Sequence, residues 1–471
     1  MTYRKPATDV LREDPDRGQA PSVIIVGGGF AGLSAGTVLA ERGVRVLVVD
    51  ARPRLGGRAT AFPDRETGEM VDNGQHVMFG CYRETLAFLD RIGARPNVRI
   101  QAALEIPFIA DGGRRSLLKC PRWPAPLHLL GGILTWDAMP LSDRLSALRL
   151  APALLQTRWS KTPAVADESV LDWLRAHGQR SALIEMLWEP LAVAALNQPI
   201  AAAAAAPFVR VLSEMFGFNS SASALVIPAK PLDEMYCEPA RAFIEARGGE
   251  VRTGSLARVI LGPDGPTGIE IRTRATSGSA EVPLQVNARQ VIAAVPWHAL
   301  RNLLPNPPAA LDATIAAASA MRSMPIATVN LWYDRVVMDE PFVGLTGRTI
   351  QWIFDKRRVF GEASSHLSLV VSAAESVAPL SRDELVRIAE AEVAQAIPRA
   401  RGATLVRATL VRERQATFSM SAGEPQRPPN QTPVPGLVLA GDWTDTGLPG
   451  TIESAVVSGH RAAEEMLKVE R

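Results

Sequence analysis

Val23-Ile24-Ile25-Val26-Gly27-Gly28-Gly29-Phe30-Ala31-Gly32, followed after a helical interval by Val46-Leu47-Val48-Val49-Asp50, decides the fold. An unbroken apolar run of this kind suits a strand buried on both faces of a parallel sheet. It runs into Gly27, Gly29 and Gly32, spaced G-x-G-x-x-G. The first glycine allows a tight turn. The second lets the backbone approach a pyrophosphate, and the third lets helix pack on strand. The pyrophosphate would rest beside Ala31, on the N-terminus of a helix starting near Phe30, where free N–H groups and the helix dipole favour an anion. Asp50 closes the second strand 18 residues after Gly32, where a carboxylate can bind ribose hydroxyls. Strand, glycines, helix, strand and acid in this order predict a dinucleotide-binding βαβ unit.

The continuation, Ala51-Arg52-Pro53-Arg54-Leu55-Gly56-Gly57-Arg58, resembles the second signature of the FAD-dependent amine oxidase and phytoene desaturase superfamily. Arg58 can give charge-assisted hydrogen bonds to phosphate. Arg52 and Arg54 alone read as solvated surface arginines. As parts of the loop, Ala51, Arg52 and Gly57 are expected at the cofactor. Near the other end, Leu437-Val438-Leu439-Ala440-Gly441-Asp442 precedes a helix expected over Thr451–Leu467. This resembles the closing flavin motif of the same superfamily. It implies that Asp442 meets the ribityl chain or pyrophosphate. Gly441, Thr451 and Ile452 would line the ring, with the helix dipole stabilising an anionic reduced flavin.

The resemblance implies an α/β, or α+β overall, architecture. A Rossmann-like FAD-binding domain of the glutathione-reductase/amine-oxidase type is expected from residues 21–80, 226–300 and 434–471. A substrate-binding domain with a helical part and an antiparallel sheet is expected from residues 81–225 and 301–433. Residues 124–160 suggest short helices, and Leu191–Val211 reads as two buried or Ala-rich helical pieces around Ala201–Ala206. A strand near residues 251–260 would cover the adenine, with Leu256 against it. Residues 1–20, with four basic and four acidic side chains and no apolar core, read as a disordered tail.

Composition narrows the function classes. The 471 residues carry 51 basic and 49 acidic side chains, a net charge of +2 that gives no reason to expect nucleic acid. Cys81, Cys120 and Cys237 form no C-x-x-C, so a redox disulfide or zinc site is not expected, and a reducing cytoplasm is. No cysteine follows Cys237, so FAD is expected to be non-covalent. The six histidines are scattered without metal-ligand spacing. No second G-x-G-x-x-G offers an NADPH site, and no uninterrupted run of about 18 apolar residues suggests a membrane span.

Three strings sharpen the resemblance: V-D-N-G-Q-H-V (71–77) running into G-C-Y-R-E-T (80–85); L-W-E-P-L (187–191) with Leu196-Asn197; and A-G-D-W-T-D-T-G-L-P (440–449). Together they resemble the squalene-associated FAD-dependent desaturase family, whose described members are hydroxysqualene dehydroxylases of bacterial hopanoid biosynthesis. The resemblance runs from about Ser22 to Leu467. It implies that Gly74, Gln75 and His76 meet the cofactor, and that the substrate is a C30 isoprenoid alcohol reduced to squalene. It also implies squalene-forming synthases and a cyclase as neighbours. An acid is needed to help the hydroxyl leave. His76 is the first choice and Glu189 the second, because a buried glutamate would have a raised pKa. Asp445 and Tyr236 are outside candidates, and Asp72 reads as structural.

Alternatives stay open: a carotenoid-type desaturase, an amine oxidase, or a non-catalytic prenyl-binding protein of the GDI type. No lysine lies between Lys230 and Lys356, which disfavours an amine oxidase with a lysine beside N5. An insoluble substrate implies peripheral contact with the inner face of the cytoplasmic membrane, through segments such as Leu127–Leu155.

Overall fold

The computed structural model describes residues 21–160, 165, 167–217, 219–273 and 283–469. The tail expected over residues 1–20 lies outside them. The fold is α/β, with two principal sheets.

The strand Val23–Val26 is buried along its length and sits inside a five-stranded parallel sheet. The order is Glu250–Arg252, Val46–Val49, Val23–Val26, Gln290–Ala293, Leu437–Leu439. Val26 lies opposite both Val49 and Ala293, so three strand ends stop level with one another. Gly27 leaves this edge with φ +119°, and a Cβ there would lie 2.3 Å from the Ala294 carbonyl oxygen. Gly32 is equally constrained, since its Cβ would come within 1.9 Å of the Gly27 oxygen.

The first helix, Phe30–Glu41, packs against the final one, Ile452–Val469. A Cβ at Gly459 would lie 2.2 Å from the Ala31 oxygen, so glycine permits this approach. Tyr236 stacks on Phe30 at 3.7 Å between ring centres. Its hydroxyl lies 3.1 Å from the Gly56 carbonyl and 2.9 Å from that of Ala59, bracing the loop that carries Arg58.

The second principal sheet has seven strands: Leu405–Phe418, Ser323–Tyr333, Ser365–Val371, Trp352–Asp355, Phe342–Leu345, Glu105–Ile109 and Arg115–Lys119. Its pairings are antiparallel except that of Phe342–Leu345 with Glu105–Ile109. One face packs on the helix Arg382–Ala396 through Val329, Leu331 and Leu369. The other turns toward the dinucleotide-type sheet, where Thr328 Oγ1 lies 3.4 Å from the Asn73 carbonyl.

Short helices fill residues 127–160, as expected. The Ala-rich region also behaves as expected: two helices, Glu189–Leu196 and Ala205–Met215, flank a turn at residues 201–204. The preceding helix ends at Asn197 with φ +52°, and Pro199 starts the turn. The Ala204 N–H then donates to the Met420 carbonyl at 2.7 Å. That tertiary pairing overrides the helix propensity of alanine. A π-helical turn, Ile184–Trp188, precedes Pro190, whose missing N–H and ring displace the usual bond to residue 186. No described helix is long and apolar enough to cross a membrane.

Candidate functional site

A cavity of about 1020 Å³ runs from the ends of the parallel strands into the substrate-domain sheet. Of the residues expected at a dinucleotide, Gly27, Gly29, Ala31, Asp50, Ala51, Arg52, Gly57 and Arg58 line it, as do Gly74, Gln75, His76, Leu256, Gly441, Asp442, Thr451 and Ile452. Gly32 does not, being buried against Gly27.

The helix Phe30–Glu41 starts on Gly29, which offers no side-chain cap, and its first turn has no acidic residue. Its first N–H groups therefore face the cavity uncompensated, as an anion site requires. Gly29 differs from its neighbours in a telling way. A Cβ there would meet no protein atom closer than 3.7 Å. The protein itself leaves room for a side chain at this position, and glycine there keeps the cavity floor open to a ligand.

The Asp50 carboxylate accepts from the Gly28 N–H at 2.6 Å and the Arg52 N–H at 2.7 Å, which fixes its direction. Across the floor, Arg58 pairs with Asp442 through two nitrogens, one at 3.2 Å. It also donates to the Ala416 carbonyl at 3.1 Å and lies over the Trp297 ring. The donor set, the glycine floor and the exposed helix N-terminus suit a dinucleotide with a pyrophosphate.

Gln75 and His76 line the cavity, and Gln75 Nε2 and His76 Nδ1 are buried without a protein partner. Burial pushes the His76 imidazole below its ordinary pKa. Asp72 and a backbone hydrogen bond at Gly74 work against the shift, and Lys356 adds to it. The ring is therefore neutral at neutral pH.

Glu189 has the raised pKa expected of it, from partial burial and the nearby Glu185, but it stands apart from the cavity. Its side chain still reaches solvent, whereas Leu187, Pro190 and Leu191 line the cavity. The π-helical turn and helix rotation send the apolar neighbours inward and the carboxylate outward. Asp445 is exposed, and Tyr236 is occupied in bracing the loop. Four cavity carboxylates escaped the sequence reading as candidate acids: Glu84, Glu413, Glu453, and Glu214, which pairs with Arg210 at 2.7 Å. A helix with residues 208, 212 and 215 buried gave no sign that position 214 borders the cavity.

Toward the seven-stranded sheet the cavity walls are largely apolar, with Arg210 and Glu214 also on the lining. Leu104, Ile106, Phe108, Leu191, Trp352 and Phe354 are among its walls. These come from both the helical segment and the seven-stranded sheet.

The family model for flavin-containing amine oxidoreductases matches residues 30–467. Hydroxysqualene dehydroxylase of Sinorhizobium fredii is 28% identical over 94% of this chain and 97% of its own length. That of Zymomonas mobilis is 27% identical over 93% and 97%. Zeta-carotene desaturase of Zea mays is 25% identical over all of this chain and 89% of its own. Among solved structures, cyclohexylamine oxidase from Brevibacterium oxydans superposes with a TM-score of 0.66 at 16% identity, covering 96% of this chain and all of that one. At that identity the likeness concerns the fold. With the motif residues gathered on one cavity and the family model spanning nearly the whole chain, the protein belongs to the flavin-containing amine oxidoreductase family.

Proposed function

We propose that the protein binds FAD non-covalently and reduces hydroxysqualene to squalene. The observation that carries this reading is the single cavity, polar and glycine-floored at one end and largely apolar at the other. The curated relatives named for hydroxysqualene support it, as does the resemblance of residues 71–85 and 440–449 to that family. Bound there, FAD supplies hydride exchange at its N5. In the net reaction an allylic C–O bond breaks, the oxygen takes a proton drawn from solvent and leaves as water, and hydride takes its place on carbon.

The chain's own residues have definite tasks. Asp50 orients the ribose, while Arg58 and the Phe30–Glu41 helix start hold the pyrophosphate. The apolar walls hold the isoprenoid chain and exclude water. His76, neutral because burial lowers its pKa, donates a hydrogen bond to the departing oxygen without acting as an imidazolium acid. Thr451 and Ile452 line the cavity, and the final helix N-terminus they form would face the ring.

Peripheral membrane contact belongs to the same proposal. Trp123, Leu127, Leu141, Leu145, Leu148 and Trp159 are exposed, with Arg122 and Arg149 exposed among them. Exposed Leu and Trp with interspersed arginine suit the interface of an anionic bilayer.

A carotene desaturase is the second reading, favoured by the zeta-carotene desaturase relatives. Product analysis separates the two. FAD-loaded protein is given hydroxysqualene with dithionite, or zeta-carotene with an oxidising acceptor. Squalene from the first supports the proposal; a more unsaturated carotene from the second, with no squalene, overturns it.

A further inference from the structure

Lysine and aspartate are almost never fully buried unless paired. Lys356 and Asp72 are both fully buried, with side-chain exposures of 1% and 2%. Lys356 Nζ donates to Asp72 Oδ2 at 2.9 Å and to Gln75 Oε1 at 3.1 Å. It also lies over the Phe360 ring at 3.8 Å. The other Asp72 oxygen accepts from the Leu232 N–H at 3.2 Å. Lys356 itself does not line the cavity; Gln75 does.

An ammonium group donates and cannot accept. Gln75 must therefore turn its oxygen to Lys356, which fixes the otherwise ambiguous amide. Its NH2 group then faces away from the lysine. That nitrogen is buried and has no protein partner. A buried donor without an acceptor is costly, so its acceptor must come from what fills the cavity.

We propose that the Asp72–Lys356 ion pair is a positioning device that locks the Gln75 amide as a hydrogen-bond donor to an acceptor atom of the flavin ring. The inference rests on the FAD reading above. The ion pair is neutral as a whole, so its influence on the ring runs through the amide it orients. A donor aimed at the ring binds more tightly as the ring gains electron density. Gln75 therefore favours the reduced form.

The test is the midpoint potential of bound FAD, read by dye-coupled reduction. Gln75→Leu removes the donor. Asp72→Asn with Lys356→Met removes both charges together, so neither is left buried alone. Each is expected to shift the reduction equilibrium toward oxidised flavin by about tenfold, or about 30 mV for a two-electron couple. The triple variant is expected to match Gln75→Leu, because the pair acts through the amide. Variants that hold FAD at the wild-type potential would overturn the proposal and leave the cofactor reading intact. Wild-type protein that takes up no FAD would overturn both. Additive shifts in the triple variant would overturn the positioning role.

Discussion

Arg58 and Asp442, 384 positions apart in the chain, meet in a two-pronged ion pair on the floor of the cavity. One follows the second parallel strand and the other follows the fifth. Closing the sheet thus brings the two ends of the sequence onto one ligand site. Arg58 stays partly accessible from the cavity, while the Asp442 side chain is buried.

Removing either partner leaves a charge that the fold has partly desolvated. Arg58→Ala is expected to weaken FAD binding by about 2 kcal/mol, roughly 30-fold in Kd. Quenching of flavin fluorescence on titration into apoprotein measures it. An unchanged Kd would remove Arg58 from the pyrophosphate site.

Gly29 and Gly32 are expected to separate ligand from fold. Gly29→Ala has space among the protein atoms, with nothing nearer than 3.7 Å, and should keep the wild-type melting curve of the apoprotein while losing FAD. Gly32→Ala meets the Gly27 oxygen at 1.9 Å and should destabilise the apoprotein by about 1–3 kcal/mol or more. Thermal unfolding alongside flavin stoichiometry checks both. A Gly29→Ala variant that binds FAD normally contradicts the account.

These contrasts explain what the sequence could reveal. The glycine turns, Asp50 and the Asp442 motif are local: backbone chemistry within a few residues specifies them. The direction of the Glu189 side chain was not legible, because it depends on helix rotation, which the π-helical turn before Pro190 alters. The partnership of Lys356 with Asp72 spans 284 positions, so no spacing rule could announce it. Gly459 carries no local signal, because its importance lies in the carbonyl of another helix.

The Lys356–Asp72 pair also bears on stability. Lys356→Met leaves Asp72 buried and unpaired and is expected to cost about 3–5 kcal/mol. Adding Asp72→Asn should recover much of that loss. Urea unfolding of the apoprotein measures the coupling, and equal losses in the single and double variants would contradict a buried ion pair.

His366 and Glu362 predict a pH effect. His366 Nδ1 lies 2.9 Å from Glu362 and Nε2 lies 3.0 Å from Asn330 Oδ1. Burial raises Glu362 from 4.5 to about 7 and lowers His366 from 6.5 to about 3. Between pH 4.5 and 6.5 the folded pair holds one proton on Glu362 and the unfolded pair holds one on His366, so the pair contributes no slope. Below 4.5 the unfolded pair takes a second proton, and stability falls. Glu362→Gln removes the compensating proton. Its acid destabilisation should begin near 6.5, at about 1.4 kcal/mol per pH unit. Denaturant midpoints between about pH 5 and 7 test this; a flat profile for the variant contradicts it.

Trp123→Ser with Trp159→Ser is expected to reduce sedimentation with anionic liposomes several-fold while leaving FAD content unchanged. Unaltered sedimentation would exclude this face from membrane contact.

The most direct test of the central claim is an anaerobic single turnover. FAD-loaded protein is photoreduced and mixed with hydroxysqualene, and the flavin band near about 450 nm is followed with product extraction. The account predicts return of the band with one squalene formed per flavin. A band that stays bleached with hydroxysqualene, together with bleaching of the oxidised protein by a carotene, would contradict it.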